Sequence, residues 1–147
     1  MRSRARLRKT ATRYFVDPSI GTAALGVDSG DLLNDLEAAG YRFEALVVRD
    51  LRIYAQPLGG RVDTWRDEDG NEADPAITLP GGRWAAVEIK MSQNDVDKSA
   101  TGLLSFAQRI NTGKQGQPAA LIVVTATGSA GRRPDGVNVV PITALAP

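Results

Sequence analysis

The sequence predicts one mixed α/β domain, and three observations make that prediction. The spacing of apolar residues is helical up to about residue 56, changes to a period of two over residues 61–90, and becomes helical again from Val96. The two-period segment is cut by Asp69-Gly70 and by Pro80-Gly81-Gly82, so it reads as a meander of three short strands. Ala119 to Thr125 (Ala-Ala-Leu-Ile-Val-Val-Thr) is a continuous, largely β-branched run of the kind buried on both faces of a sheet, in a parallel or central position.

Taken in order, Tyr14-Phe15-Val16 is a short apolar run closed by Asp17-Pro18-Ser19. Asp17 or Ser19 is the expected cap of a short helix through Ile20, Ala23, Ala24 and Leu25, ended by Gly26. A second helix is expected from Ser29 or Asp31, with Leu32, Leu33 and Leu36 on one side and Gly40 as its stop. The longest helical signal follows over residues 40–56. There Phe43, Leu46, Val47, Asp50, Leu51 and Tyr54 form a stripe, and Pro57 and Gly59-Gly60 end it.

Strands are expected over Arg61 to Arg66, Asn71 to Leu79 and Arg83 to Lys90, with Pro75 marking a bulge or an unpaired edge position in the second. Asp95 is a cap candidate for a helix carrying Val96, Ala100, Leu103, Leu104, Ala107 and Ile110, which Asn111, Gly113 and Gly116 terminate. Gly128 to Arg133 reads as a loop, Val137 to Val140 as a last strand, and Pro141 as the start of a helical turn.

At 147 residues the chain is long enough to bury a core without staples. It contains no cysteine and no histidine, which excludes thiol nucleophiles, disulfides, imidazole bases and Ser-His-Asp triads. Any catalysis must use carboxylates, Lys, Arg, hydroxyls or a hard cation. The net charge of +1 conceals an asymmetry: Arg2, Arg4, Arg6, Arg8, Lys9 and Arg13 make residues 1–13 a basic N-terminal arm, and residues 14–147, the single domain, carry 12 basic against 17 acidic side chains. Such an arm is either a solvated terminus or a tether to an anionic surface. No apolar run follows it and none in the chain approaches a membrane span, so neither a secretory leader nor a membrane partner is expected and the protein is placed in the cytoplasm.

The residues with chemical potential lie on the meander. Glu88 and Lys90 are two apart on one strand and leave the same face, while Ile89 leaves the other. Glu72 and Asp74 are two apart on the preceding strand. A three-residue loop at 80–82 gives paired positions that sum to 162 and sets Asp74 opposite Glu88; a two-residue Gly81-Gly82 turn gives 163 and sets Asp74 opposite Ile89. Facing carboxylates repel across a ladder, and a hard cation such as Mg²⁺ resolves that repulsion. Lys90 would then stabilise charge building on a phosphoryl transition state. The plain alternative is an exposed amphipathic strand in which Glu88 pairs with a nearby Arg. Asp67-Glu68-Asp69 reads as a solvated hairpin tip, and Trp65 and Trp84 as packing residues rather than base-stacking platforms.

Phe43-Glu44 on a helix, Gly70-Asn71-Glu72-Ala73-Asp74 on a strand pair and Val87-Glu88-Ile89-Lys90 on the next strand together resemble the PD-(D/E)XK nuclease-like superfamily. Within it the chain is most similar to the uncharacterised C-terminal domain that follows the ATPase module in many bacterial and archaeal AAA-type ATPases. The likeness runs over about residues 13–147 and includes Phe15-Val16-Asp17-Pro18 and Arg133-Pro134-Asp135-Gly136-Val137. It implies that Asp74 and Glu88 are metal ligands, Lys90 the catalytic lysine, Glu44 a helix-borne catalytic acid at the edge of the site and Glu72 a peripheral acid. The sequence departs from the family pattern at Ala73, where Val is common, and at Pro75, directly after the ligand Asp74.

The expected architecture is therefore a restriction-endonuclease-like mixed central sheet, built on residues 61–90 and extended by 119–125 and 137–140, with helices 40–56 and 96–110 packed on it. The expected function is Mg²⁺- or Mn²⁺-dependent phosphodiester hydrolysis of DNA, with Arg132 and Arg133 placed to touch phosphate. The alternative is a non-catalytic recognition or assembly domain of an AAA-type ATPase system. The chain contains no Gly-x-x-x-x-Gly-Lys-Ser/Thr phosphate loop, so an ATPase partner, in cis or in trans, would supply that module.

Overall fold

The computed structural model describes residues 14–66, 72–110 and 116–146, with the backbone alone at residues 65, 66 and 72–74. Three helices come first: α1 (Pro18–Leu25), α2 (Ser29–Asn34) and α3 (Leu36–Ala55). Asp17 caps α1 by accepting from the Ser19 N–H, and Gly26 closes it in the left-handed conformation. Asp28 and Asp31 form a reciprocal capping box on α2. The expected stop at Gly40 is corrected here. The break between the second and third helices falls at Asp35, whose carboxylate accepts from the Ala38 N–H and starts α3, so the longer helix runs straight through Gly40. A capping carboxylate satisfies orphan N–H groups, whereas a glycine inside a helix only weakens it.

Asp17 also reaches across to α3, where Arg49 Nη1 lies 2.8 Å from its carboxylate. The Ser19 hydrogen bonds first, and Arg49 after them, hold the Asp17 carboxyl below its ordinary value. A group depressed in the folded state stabilises the fold fully above its unfolded value of about 3.9 and loses that contribution as pH falls through the folded value. Asp17→Asn, which keeps the cap geometry, should therefore melt below wild type at pH 6, and the gap should close as pH is lowered below about 4. A gap that stays constant down to pH 2 would show that the charge is irrelevant.

The sheet comprises β1 (Arg61–Arg66), β2 (Glu72–Thr78), β3 (Trp84–Lys90), β4 (Ala120–Thr125), β5 (Gly131–Arg132) and β6 (Asn138–Pro141), in the order β1-β2-β3-β4-β6-β5. The fold is mixed α/β, as expected. β1, β2 and β3 are antiparallel neighbours, while β3, β4 and β6 run parallel. β4 is thus a central strand with parallel partners on both sides, which accounts for its unbroken apolar run. The connection from β3 to β4 passes through α4 (Val96–Arg109). One expected loop is corrected: Gly131–Arg132 pairs with Asn138 and Val139, so part of residues 128–133 is an edge strand. Two residues are too short to carry a periodicity that a sequence could display.

Pro75 is resolved by the pairing. Asp63 faces Ala76 and Trp65 faces Ala73, so β2 spends one residue more than β1 between those pairs, at Asp74-Pro75. β2 is an interior strand, and the bulge is what admits a residue that cannot donate to the ladder. The turn at 80–82 needs positive φ at Gly81 and Gly82, both at 81°, and is closed by the Leu79 N–H on the Arg83 carbonyl.

Two cores flank the sheet. On one face α4 packs Val96, Ala100, Leu103 and Phe106 against Trp84, Ala86, Leu121 and Val123. On the other, α3 packs Val47, Leu51 and Ala55 against Val62, Val87 and Val124. Each strand supplies alternate residues to the two cores, so the parity of a position on β3 decides which helix it meets. No helix among the described residues is long and apolar enough to cross a membrane.

Candidate functional site

Parity places Glu88 and Lys90, like Trp84 and Ala86, on the α4 face of β3, and Ile89 on the α3 face. The Lys90 ammonium lies 3.0 Å from the Glu88 carboxylate, and both side chains remain partly exposed. They form one wall of a cleft of about 570 Å³ whose other wall is α4 and the residue before it: Asp95, Lys98, Ser99, Gly102, Ser105 and Arg109 line that side. Trp84 forms the support below. It is 2% exposed, stands edge-on to Phe106 with ring centroids 6.2 Å apart, and donates its indole N–H to the Gly116 carbonyl at 3.1 Å. Trp84 is thus a packing residue, as expected; the side chain of Trp65 lies outside the described residues.

The β2–β3 ladder sums to 162 at every pair formed: Ala76 with Ala86, Ile77 with Ala85 and Thr78 with Trp84. That is the register the two-carboxylate arrangement requires. The ladder stops at Ala76, so Asp74 and Glu88 lie two residues beyond its last pair. The side chains of Glu72 and Asp74 fall outside the described residues, as does the Asp67-Glu68-Asp69 tip.

Glu44 is carried by α3, the helix on the other face of the sheet, and its carboxylate accepts from the Tyr14 hydroxyl at 2.6 Å. The structure therefore brings Glu88 and Lys90 together and gives Glu44 a different partner. Arg133 is also engaged. Its guanidinium contacts Asp97 on α4 and Asp135 at 3.1 Å, clasping the turn before β6 to the helix, and the Asp97 and Asp135 hydrogen bonds hold it firmly protonated. Arg132, one residue earlier, is exposed on the edge strand.

Asp95, expected as a cap, makes no side-chain capping bond and lines the cleft instead. The α4 cations were outside the motif reasoning altogether. Lys98, Gly102, Ser105 and Arg109 are spaced four, three and four apart, a single helical face, but only the fold shows that this face looks onto Glu88.

Among the described residues no three Asp, Glu, His or Cys side chains gather into a group able to hold a metal. The chemistry of the donors nevertheless fits a hard cation. Glu88 and Asp95 bring carboxylate oxygens to one cleft, the chain holds no nitrogen or sulfur ligand from His or Cys, and Mg²⁺ is commonly held by one or two carboxylates with water filling the remaining positions.

The fold defines the class: a mixed α/β domain whose central sheet carries an acid–lysine pair beside a helix-walled cleft. Residues 39–145 match the model of a family described as a domain of unknown function (DUF4143), and the chain belongs to that family. No curated protein and no solved structure matches the chain significantly.

Proposed function

We propose that this protein is a divalent-metal-dependent phosphodiesterase acting on DNA. The observation that carries the reading is the Glu88–Lys90 pair, 3.0 Å apart on one face of β3 and opening into the α4 cleft. What sets the pair apart from an ordinary strand ion pair is its place, opposite Lys98 and Arg109 across the cleft. The 162 register supports the reading as far as it runs: it holds from Thr78 to Ala76 and ends at the Asp74-Pro75 bulge, beside the Glu88 end of β3. Glu88 and Asp74 would hold Mg²⁺ or Mn²⁺, and the bound ion supplies Lewis acidity toward the phosphoryl group. Lys90 contributes positive charge where the transition state gathers negative charge. Glu44, tied to Tyr14, is assigned no contact with the substrate.

The reading requires a metal site, and ligand linkage tests it directly. An ion that binds the folded state alone stabilises it by about 2.7 kcal/mol at a hundredfold excess over its Kd. Titrating Mg²⁺ or Mn²⁺ should raise the melting temperature of wild type and leave that of Glu88→Ala unmoved. Melting temperatures equally unresponsive in both proteins would remove the metal site and the activity with it.

A second reading, a recognition or assembly domain serving an AAA-type ATPase, is favoured by a different observation. α1 and α2 bury no side chain, and Phe15, Val16, Ile20, Leu25, Leu33 and Leu36 all stand exposed at this end of the molecule. Exposed apolar residues in such number are typical of surfaces that meet another protein. Absence of cleavage by wild type on duplex, single-stranded and branched DNA with either ion would favour this second reading.

A further inference from the structure

We infer that the cleft face of α4 is a phosphate-binding subsite, in which Lys98, Ser105 and Arg109 hold the phosphodiester backbone that leads into the Glu88–Lys90 pair. This rests on the phosphodiesterase reading and extends it to residues that no motif singles out. Lys98 and Arg109 have no carboxylate within ion-pair distance among the described residues; Arg109 instead donates to the Ser105 hydroxyl at 2.7 Å. Arg49 and Arg133, by contrast, each contact two carboxylates. Arg42, Arg52 and Arg132 also have no such partner among the described residues, but Lys98 and Arg109 share one cleft, and two unpaired cations there give a negatively charged ligand a place to bind.

Two further observations at the same cleft are independent of charge. Ser99, 5% exposed and in the α4 wall of the cleft, has a buried hydroxyl with no hydrogen-bond partner among the described residues. Buried hydroxyls are nearly always satisfied, so this one marks an unfilled polar position in the helix wall behind the cleft. Gly102 sits in the middle of α4, where glycine weakens a helix, yet a Cβ there would meet nothing within 4 Å. No packing among the described residues demands the glycine. It leaves the helix surface low midway between the two cations, where a bulky ligand can lie against the backbone.

The size of the ligand follows from the helix. Lys98 and Arg109 are eleven positions apart, about 16 Å along the axis at 1.5 Å per residue. One phosphate cannot touch both, whereas consecutive phosphates of a strand can. Among the described residues of the cleft wall Asp95 is the one unpaired acid; Glu88 is neutralised by Lys90. Among the described lining residues three cations, Lys90, Lys98 and Arg109, stand against two acids.

Binding is measured apart from chemistry by fluorescence anisotropy of a labelled 20-nucleotide DNA strand of mixed sequence, and of its duplex, in EDTA between 50 and 200 mM salt. Wild type should bind the single strand, the duplex or both, with log K falling linearly in log salt. For the single strand, each lost phosphate contact flattens the slope by about 0.7, so Lys98→Ala/Arg109→Ala should flatten it by about 1.4; the basic arm is common to both proteins and cancels. Gly102→Leu should retain or raise the melting temperature, since its side chain meets open space, and still weaken binding at least tenfold by filling the cleft. An unchanged slope in the double variant, full binding by Gly102→Leu, or no binding by wild type overturns the subsite. The phosphodiesterase reading stands or falls separately on Mg²⁺-dependent cleavage. A double variant that cleaves at the wild-type rate keeps that reading and removes the subsite.

Discussion

Lys90→Ala should lower metal-dependent cleavage of DNA by about 10²- to 10³-fold, the range found when one preorganised charge or donor is removed from a transition state. The protein should remain folded. The Glu88–Lys90 pair is partly exposed, and pairs of that kind contribute only about 0–1 kcal/mol to stability. Lys90 also lies at the C-terminal end of β3 on the rim of the cleft, outside the packed core of Trp84, Ala86, Leu103 and Phe106. The variant thus separates chemistry from stability. Melting temperature and EDTA binding report on the fold and the cleft, and the cleavage rate reports on the charge. A folded Lys90→Ala protein that cleaves as wild type does would refute the assignment. In a recognition domain there is no cleavage to lose, so a metal-dependent rate that responds to Lys90 distinguishes the two readings outright.

The largest expected effect on stability belongs to Trp84→Ala, at about 3–5 kcal/mol, out of the 5–15 kcal/mol typical of a domain. Several contacts fail together in that variant. The ring is buried against Phe106 and its indole N–H satisfies the Gly116 carbonyl. Its strand position pairs with Thr78, one of the three pairs that fix the β2–β3 register. The Trp84 carbonyl also accepts from the Ala119 N–H at 2.7 Å, where β4 begins. Trp84→Phe should fall between wild type and alanine, because it restores most of the volume but not the indole donor. Urea unfolding measures both. A loss below about 1 kcal/mol for alanine, the size of a surface change, would show that the α4 core does not depend on this ring.

Most elements could be read from the sequence because they are written in local chemistry. α1 begins at Asp17 and ends at Gly26; α3 shows the Phe43, Val47 and Leu51 stripe; β4 is an unbroken β-branched run; and each signal lies within one element. At Pro75 the sequence called for a bulge or an unpaired edge position, since proline cannot donate to a ladder wherever it stands, and the pairing with β1 selects the bulge. The misread stop at Gly40 marks the limit of such signals. Glycine lowers the stability of a helix by about 1 kcal/mol, and the buried stripe of α3, together with the Asp35 cap, outweighs that cost. The candidate site was legible only where its residues share a strand. Glu88 and Lys90 leave one face because the period of a strand is two. Glu44 is joined to them by no local rule, and the packing puts its helix on the other face.

By itself, the amino-acid sequence determined the α/β class, most of the element boundaries, the exclusion of imidazole and thiol chemistry, and the common face of Glu88 and Lys90. Each of these follows from residue type or from a short-range period. The tertiary structure alone decided that the register sums to 162, that Arg133 is consumed by Asp97 and Asp135, and that Lys98, Ser99, Ser105 and Arg109 look onto the Glu88–Lys90 pair across a cleft. A helix and a strand each announce which residues lie on one side. Which side of the one meets which side of the other is settled only when both apolar faces are buried against each other, and that burial couples residues distant along the chain.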